Sequence, residues 1–502
     1  MVIQTNPPTP EVDIQPPFIT ALLNDPSCYD HKVASLQLIE THISWVILTG
    51  TFAYKIKKPV DMGFLNFSTL TLRRQACADE VRLNRRLASE IYLGVVAITG
   101  SPAQPRINGE GGEFEYAVQM LQFSPDATLD GLSNRGKLDA HQIDALAARL
   151  ARFHLDECAT APASSAWGEP EAILQPVIEN FRILDERMSD QHRSRLDQLK
   201  SWSFSEHERL SPLMHERKQL GMIRECHGDM HLGNLAWEDG RLIIFDCIEF
   251  SEVLRWIDIM SEVAFCFMDL LHRQHRDLAF RFLNAWLEAT GDYRGVTLLR
   301  YYAVYRAIVR AKVASMRPDG SAELQECLQL AEQLTQSSQP QLWIMHGLSG
   351  CGKTTLSQSM LQNQEMLRLR SDVERKRIGG FAATASSNSE ISTGIYTQEA
   401  DRRTYEQLAQ HAERLLETGW SVIVDATFLA RWQRDMFREI ARRMTISFRI
   451  LDIHAPLSTL RARITQRTTQ GQDASEADLR VLQLQIKAAE ALGADELDDV
   501  IQ

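Results

Sequence analysis

The chain has 502 residues, of which 44% are hydrophobic and 24% are charged, and its net charge is −12. This length exceeds what one hydrophobic core usually supports, and the hydrophobic content is enough for two. The acidic balance argues against a strong nucleic-acid-binding surface, and no uninterrupted apolar segment reaches the roughly 18 residues that a membrane span needs. The composition therefore predicts a two-domain protein without a membrane partner.

The start of the chain and its cysteines indicate a cytoplasmic protein. Residues 1–17 are rich in proline and have neither the basic region nor the apolar stretch of a signal peptide, so they are predicted to be a flexible tail. The eight cysteines are scattered, and none has C-x-x-C spacing. This pattern favours reduced thiols and argues against a structural zinc site.

Residues 52–123 combine strand patterns with a helical pattern. The segment Phe52-Ala-Tyr-Lys55 has the alternation of a strand, and Lys57 falls on the same face as Lys55. Glu80 lies in a segment that is predicted to be helical. Residues 115–123 are predicted to form a further strand that leads into a linker.

A cluster of polar residues in the middle of the chain has the spacing that phosphoryl transfer requires. Asp229 and Asn234 stand in the pattern H-G-D-x-x-x-x-N, and the hydrophobic strand 242–245 ends at Asp246. In protein-kinase-like folds one aspartate orients the attacking hydroxyl and accepts its proton, while an asparagine and a second aspartate hold Mg²⁺. The sequence supplies these three groups in that order.

This cluster resembles that of the aminoglycoside phosphotransferase family, which shares the protein-kinase fold and includes choline kinases. The resemblance covers roughly residues 30–320 and implies an α+β fold with two lobes. It also implies that Asp229 is the catalytic base, that Asn234 and Asp246 bind Mg²⁺, and that His227 is a structural residue of the loop.

The same resemblance assigns the residues that would hold ATP. It implies that a strand lysine, either Lys55 or Lys57, clamps the phosphates and that Glu80 is its helical partner. The chain departs from the pattern in one respect, since Gly50 is the only glycine where a glycine-rich phosphate loop is expected. This departure leaves open that the N-terminal module binds nucleotide poorly or for regulation.

A polar linker separates this region from the rest of the chain. Residues 316–322 break a helical run, residues 323–334 have the pattern of one amphipathic helix, and a polar segment follows. The predicted division is a kinase-like domain at 18–337 and a second domain at 338–502.

The second domain opens with a glycine loop of the form G-x-x-x-x-G-K-[ST] between a predicted strand and a predicted helix. The glycines let backbone N–H groups face a β-phosphate, Lys353 reaches the β- and γ-phosphates, and the Thr354 hydroxyl holds Mg²⁺. The candidate nucleotide-binding residues are Gly347, Ser349, Gly350, Cys351, Gly352, Lys353, Thr354 and Thr355.

Five further polar positions follow the glycine loop. Asp372 ends the second predicted strand, and Arg375 lies one helical turn further on, which brings a base and a phosphate-binding cation together. Asp425 ends another buried strand, where it either organises Mg²⁺ or caps a helix. Arg463 and Arg467 lie four residues apart on a predicted helix and form either part of a lid or a solvated face.

The order of these features resembles the small P-loop kinases, particularly those related to polynucleotide 5′-hydroxyl kinase, gluconate kinase and zeta-toxin proteins. The resemblance covers roughly residues 340–500 and implies an α/β fold with a parallel sheet. It implies that Asp372 activates the acceptor, that Arg375 binds phosphate, and that Arg463 and Arg467 are the lid arginines. The succession of the two modules resembles a branch of the aminoglycoside phosphotransferase superfamily that is fused to a P-loop domain.

These features predict two ATP- and Mg²⁺-dependent kinase modules, each acting on a hydroxyl of a small molecule or of a nucleic-acid 5′ end. Most of the negative charge precedes residue 341, which suits a cationic or neutral acceptor in the first module. The alternative is one catalytic module regulated by the other as a nucleotide sensor or ATPase switch. Asp372 with Arg375 favours two kinases, because a switch needs no acceptor base. The oligomeric state stays open.

Overall fold

The computed structural model of the chain describes residues 15–63, 65–188, 190–336, 339–382, 397–470, 475 and 477–501. These residues form two compact units. The first unit contains the residues up to 131 together with 227–229 and 233–255. The second unit contains residues 132–226, 230–232 and the residues from 256 onward.

The described residues form both strands and α-helices, which are numbered in chain order. The strands are β1 (Gln37–Glu40), β2 (Ser44–Leu48), β3 (Phe52–Lys57), β4 (Tyr92–Ser101), β5 (Gln104–Ile107), β6 (Glu113–Leu121), β7 (Ile223–Glu225), β8 (Leu235–Glu238), β9 (Arg241–Ile244), β10 (Trp256–Asp258), β11 (Gln341–His346), β12 (Leu367–Arg370), β13 (Val422–Asp425), β14 (Ser447–Asp452) and β15 (Val500–Ile501). The α-helices are α1 (Pro17–Asn24), α2 (Leu70–Ala88), α3 (Leu129–Asn134), α4 (Ala140–Arg152), α5 (Pro170–Arg187), α6 (Asp190–Gln219), α7 (Glu252–Arg255), α8 (Ile259–His272), α9 (Arg276–Thr290), α10 (Val296–Ser315), α11 (Ser321–Thr335), α12 (Lys353–Asn363), α13 (Ser371–Ile378), α14 (Gln398–Glu417), α15 (Arg431–Met444), α16 (Leu457–Gln470) and α17 (Leu479–Ala488).

An antiparallel sheet forms the body of the first unit. Among the described residues its strand order is β1-β2-β3-β6-β4-β5. Side chains alternate along β3, so Tyr54 and Ile56 enter the core on one face while Lys55 and Lys57 point to the other. Helix α2 packs on β4 and β6, and it brings Glu80 to the lysine face.

The hairpin of β8 and β9 presents the polar residues of the predicted catalytic loop. The two strands pair antiparallel, with Leu235 opposite Ile244. Asn234 directly precedes β8, and Asp246 follows two residues after the end of β9. Because antiparallel pairing brings the start of one strand opposite the end of its neighbour, these two residues leave the hairpin at the same end.

The second unit contains a parallel sheet with the order β12-β13-β11-β14-β15. All four residues of β13 are buried, as expected for a strand covered on both faces. Gly347 follows β11, Asp372 follows β12 and Asp425 ends β13. The carboxyl ends of parallel strands meet at one edge of a sheet, so these three positions share that edge.

The helices of the second unit pack on one another and on the parallel sheet. Helix α8 is almost entirely buried, and it packs against α9 and α10. Helix α9 also packs against α12 and against the edge strand β12. The helical part of the second unit and the glycine-loop part therefore share one compact body.

The predicted sheet types are confirmed, since an antiparallel sheet precedes a parallel one. The division near residue 338 and the tail at 1–17 stay predictions, and residues 1–14 and 337–338 lie outside the described part of the chain. The eight cysteines are all buried, and none forms a disulfide. None of the described helices is both long and apolar enough to span a membrane.

Candidate active sites

Lys55 lies between two carboxylates of the first unit. Its Nζ is 2.9 Å from Oε1 of Glu80, and it also forms an ion pair with Asp246. The side chain of Glu80 is fully buried, whereas that of Asp246 is 44% exposed and accessible to a ligand. Three residues that the sequence singled out separately thus meet at one point.

Lys57 shares the carboxylate of Glu80 but has a different second partner. Its Nζ is 2.5 Å from Oε2 of Glu80, and it forms a further ion pair with Glu249. The side chain of Lys57 is fully buried. Of the two lysines that the sequence left open, Lys55 is therefore the one that contacts Asp246.

The charges of the Lys55 ion pair stabilise each other. Burial alone lowers the pKa of Lys55, but the carboxylates of Asp246 and Glu80 raise this pKa well above the ordinary lysine value. Burial alone raises the pKa of Asp246, but the charge and hydrogen bond of Lys55 bring it below the ordinary aspartate value. Both groups are therefore ionised at neutral pH, and a phosphate or cation that binds here competes for them.

Asp229 is held by the residues on either side of it. Nδ2 of Asn234 donates to Oδ2 of Asp229 at 2.9 Å and to its backbone carbonyl at 3.0 Å. Nδ1 of His227 accepts from the N–H of Asp229 at 3.3 Å, while Nε2 bonds to the carbonyl of Phe245 at 2.8 Å. This arrangement corresponds to a neutral His227 with its proton on Nε2, which ties the loop to the end of β9.

The backbone around this loop is restricted at two positions. Gly228 has φ +90°, and an added Cβ would lie 2.7 Å from the carbonyl oxygen of Leu254, so only glycine fits. Asp246 has φ 64°, and its N–H donates to the hydroxyl of Tyr92 at 3.0 Å. Sequence reasoning missed Tyr92, which lies far from any motif.

Backbone geometry dominates the glycine loop of the second unit. Gly347, Gly350 and Gly352 have φ values of +148°, +85° and +110°. Nζ of Lys353 donates to the carbonyl oxygens of Gly347 and Leu348, each at 2.9 Å. The lysine is thus folded onto its own loop, in the space where the glycine-loop pattern predicts a phosphate.

The remaining residues of the glycine loop differ in their surroundings. The N–H of Ser349 donates to Oε1 of Gln485 at 2.9 Å, and Nε2 of Gln485 donates back to Oγ of Ser349 at 3.0 Å. Cys351 is buried, and Thr355 is exposed in the first turn of α12. Gln485 on α17 is another contact that no motif indicated.

Asp425 lies beside the hydroxyl of Thr354. Oγ1 of Thr354 donates to Oδ2 of Asp425 at 2.9 Å, and Oγ of Ser357 lies 3.4 Å from the same oxygen. The alternative role of Asp425 as a helix cap is wrong, because the next helix begins at Arg431 with Ala430 as its N-cap. Asp425 and Thr354 therefore lie together, where the glycine-loop pattern predicts a metal site.

Asp372 and Arg375 both lie on α13, and Arg375 has a strong acidic partner. Nη2 of Arg375 donates to Oδ1 of Asp401 on α14 at 2.8 Å. Burial alone lowers the pKa of Arg375, but Asp401 and then Asp372 raise it. Nε2 of Gln433 also donates to Asp401, at 3.3 Å. The predicted base and the predicted phosphate ligand thus share one helix, and Asp401 fixes the arginine.

The two predicted lid arginines lie on α16. Nη1 of Arg463 donates to the carbonyl oxygens of Gly350 and Cys351, both at 3.2 Å. The backbone of Arg467 belongs to the same helix, but its side chain and residues 471–474 lie outside the described part of the chain. Arg463 therefore contacts the glycine loop directly.

Both clusters have donor sets that suit Mg²⁺ and nucleotide phosphates. Mg²⁺ prefers oxygen ligands, which Asp246 supplies in the first unit and Asp425 and Thr354 supply in the second. Lys55 and Lys353 add a cation to each cluster, as phosphate binding requires.

Two family models match separate parts of the chain. Residues 70–307 match the model of the phosphotransferase enzyme family, and residues 342–492 match that of an AAA domain. The first match contains Asp229, and the second contains the whole glycine loop. The predicted fold class is thereby confirmed as a protein-kinase-like fold followed by a P-loop kinase fold with a parallel sheet.

Similar proteins include a curated relative and solved kinases. An uncharacterized protein of Mycobacterium tuberculosis is 29% identical over 454 residues, which cover 88% of this chain and 87% of that protein. A sugar kinase structure from Janibacter sp. is 23% identical, covers 33% of this chain and 84% of its own, and has a TM-score of 0.26. A choline/ethanolamine kinase family protein from Mesorhizobium loti is 10% identical, covers 61% of this chain and 90% of its own, and has a TM-score of 0.39.

Proposed function

We propose that the chain carries two active sites, because residues 70–307 match the phosphotransferase enzyme family and residues 342–492 match an AAA domain. Each site transfers the γ-phosphoryl group of ATP to a hydroxyl group with the help of Mg²⁺. The observation that carries this proposal is the meeting of Lys55, Glu80 and Asp246 in the first unit. We set the boundary between the modules near residue 338.

In the first site Asp229 is the base. Asn234 holds its carboxylate, which orients the acceptor hydroxyl and takes its proton. The amide nitrogen of Asn234 is engaged by Asp229, so its amide oxygen is the atom that joins Asp246 as a metal ligand. Lys55, fixed by Glu80, neutralises phosphate charge. Bound ATP supplies the phosphoryl group, and bound Mg²⁺ withdraws charge from its oxygens.

In the second site the glycine loop holds the nucleotide. Lys353 exchanges the carbonyl groups of its own loop for phosphate oxygens, and Thr354 and Asp425 hold the metal or its water. Asp372 takes the proton of the acceptor hydroxyl, and Arg375 binds phosphate. The presence of Asp372 next to Arg375 supports a transferase rather than an ATPase switch.

The acceptors of the two sites are small molecules with a hydroxyl group or, for the second site, a nucleic-acid 5′ end. The negative charge that precedes residue 341 attracts a cationic hydroxyl compound to the first site. Choline, ethanolamine and aminoglycosides are cations with hydroxyl groups, and sugars are neutral compounds with hydroxyl groups. A strong nucleic-acid surface is not expected in either module.

Substitution of Asp229 tests the first site. The full chain is incubated with γ-labelled ATP and a panel of sugars, aminoglycosides, choline, ethanolamine, nucleosides and 5′-hydroxyl oligonucleotides. Asp229→Asn should lower transfer to the first-site acceptor by a factor on the order of 10² to 10⁴, because it removes the base. Glu110→Gln, in a loop of the same unit, should leave transfer unchanged. If Asp229→Asn changes no detected transfer, the proposal of two kinases fails.

Substitution of Lys353 tests the second site. Lys353→Ala should abolish nucleotide binding by the glycine loop, whereas Lys487→Ala, an exposed lysine of the same unit, should not. Unchanged nucleotide affinity in Lys353→Ala would refute the P-loop assignment. If Asp372→Asn retains every transfer that depends on Lys353, the second module is a nucleotide sensor rather than a kinase.

A further inference from the structure

Helix α9 contributes an acidic side chain to the surroundings of the P-loop site. We propose that Glu288 on α9 is a positioning residue for this site, because it holds Arg368 and Arg370 and so keeps Asp425 available to Mg²⁺. The inference rests on the proposed function, in which the glycine loop binds nucleotide with Mg²⁺. Glu288 lies outside the glycine loop and outside every motif in the sequence.

The carboxylate of Glu288 bridges the two arginines of β12. Its Oε1 accepts from Nε of Arg368 at 2.8 Å and lies 2.6 Å from Nη2 of the same side chain. Its Oε2 accepts from Nη1 of Arg370 at 3.4 Å. The three side chains are between 6% and 14% exposed, so water screens their charges only weakly.

Both arginines also contact residues at the proposed metal-binding edge of the glycine-loop region. Nη1 of Arg368 donates to Oγ of Ser357 at 3.2 Å. Nε of Arg370 lies 3.6 Å from Oδ2 of Asp425. This Oδ2 is the atom that accepts from Thr354, so Arg370 links Glu288 to the proposed metal site.

The side chain of Asn284 on helix α9 fixes this helix to the backbone of β12 and of the residue before it. β12 is an edge strand, and edge strands leave N–H and C=O groups without a neighbouring strand. Nδ2 of Asn284 donates to the carbonyl of Met366 at 3.0 Å, and Oδ1 of Asn284 accepts from the N–H of Arg368 at 2.6 Å. Asn284 precedes Glu288 by one helical turn, so its contacts set the position of the carboxylate.

The charge of Glu288 decides how strongly Arg370 attracts Asp425. Arg370 lies between these two carboxylates, and each of them offsets part of its positive charge. When glutamine replaces Glu288, Asp425 is the one of these two partners that still carries a charge. Asp425 then draws Arg370 closer. The guanidinium and Mg²⁺ then compete for the same Oδ2 atom, which weakens metal binding.

The test is a Mg²⁺ titration of nucleotide binding by the full chain. A fluorescent ADP analogue reports binding, and the signal that remains in Lys353→Ala is subtracted to isolate the P-loop site. Glu288→Gln should raise the Mg²⁺ concentration for half-maximal binding roughly tenfold, the lower end of the range expected when a residue outside the metal ligands is replaced. The double variant Glu288→Gln with Arg370→Gln should return this concentration toward the wild-type value, because the competing cation is gone.

A second ion pair between α9 and the residues before β12 provides the matched control. Arg276, at the start of α9, pairs with Glu365, and this contact does not involve Asp425. Glu365→Gln should therefore leave the Mg²⁺ midpoint unchanged. A purely structural role for Glu288 predicts instead that the double variant is no better than the single one.

The outcomes separate this inference from the proposed function. If Lys353→Ala loses nucleotide but Glu288→Gln titrates like wild type, the positioning role is wrong and the P-loop site stands. If Lys353→Ala binds nucleotide normally, both are wrong. If Glu288→Gln does not fold, Arg370→Gln is measured instead. This variant should lower the Mg²⁺ midpoint, and an unchanged or raised midpoint overturns the inference.

Discussion

The two candidate sites are built in different ways. In the first unit, charged side chains hold one another: Lys55 and Lys57 share Glu80, and each has a second carboxylate. In the glycine loop, the backbone holds the charged side chain, since Nζ of Lys353 contacts the carbonyl groups of Gly347 and Leu348. The first site should therefore be sensitive to the loss of a charge, and the second to the addition of a Cβ.

The largest expected effect follows from removing the buried lysine of the first unit. Lys57→Ala leaves Glu249, whose side chain is only 3% exposed, buried without this cation, which should lower the free energy of unfolding by about 3 to 5 kcal/mol. Chemical denaturation followed by circular dichroism measures the change. Lys58→Ala, which removes an ion pair with the 36% exposed Glu40, should cost about 1 kcal/mol or less. Equal losses in the two variants would contradict the ion-pair account of this site.

The next effect tests the backbone account of the glycine loop. Gly347→Ala places a Cβ 2.5 Å from the carbonyl oxygen of Ile453 at a φ that L-residues rarely adopt. This strain should cost about 3 kcal/mol and abolish nucleotide binding by the loop. Gly380→Ala, at φ +76° but in open space, should cost only about 1 kcal/mol and leave binding intact. Calorimetry measures both the stability and the nucleotide binding of each variant. Normal nucleotide binding by Gly347→Ala would refute the prediction.

A smaller change in stability is expected at the lysine that contacts Asp246. Lys55→Met leaves Glu80 paired with Lys57, and the other partner, Asp246, is 44% exposed and can be solvated, so the free energy of unfolding should fall by only about 1 to 2 kcal/mol. Nucleotide binding by the first site should nevertheless be lost. Lys55 and Lys57 are therefore distinguishable by the ratio of binding loss to stability loss. A binding defect confined to Lys57→Ala would reverse the assignment.

The smallest effect concerns the helix that carries Asp372. Glu374 of this helix pairs with His411 and Arg377. Burial alone raises the pKa of Glu374, but these partners bring it below the ordinary glutamate value. The stabilisation is therefore present above the unfolded-state pKa and is lost as the pH falls through the folded-state pKa. The difference in unfolding free energy between wild type and Glu374→Gln should shrink as the pH falls below about 4; a difference independent of pH would contradict this.

The sequence predicted those parts of the sites that depend on local spacing. The strand, glycine loop and helix around Lys353 follow one another in the chain, so periodicity locates them. Periodicity could not decide between Lys55 and Lys57, because both lie on one face of β3. The lysines differ only in their second ionic partners, Asp246 and Glu249, which are distant in the sequence. Glu288 gave no signal at all, since its role arises from the packing of α9 against β12.

The amide of Asn284 has a consequence for the separability of the chain. By bonding to Met366 and Arg368, it occupies backbone groups that another polypeptide would otherwise pair with. A fragment that begins at the predicted boundary near residue 338 would lack α9 and leave these groups of β12 uncovered. Such an edge invites strand addition and self-association, so we expect a fragment that begins near residue 338 to associate with itself, unlike the full chain.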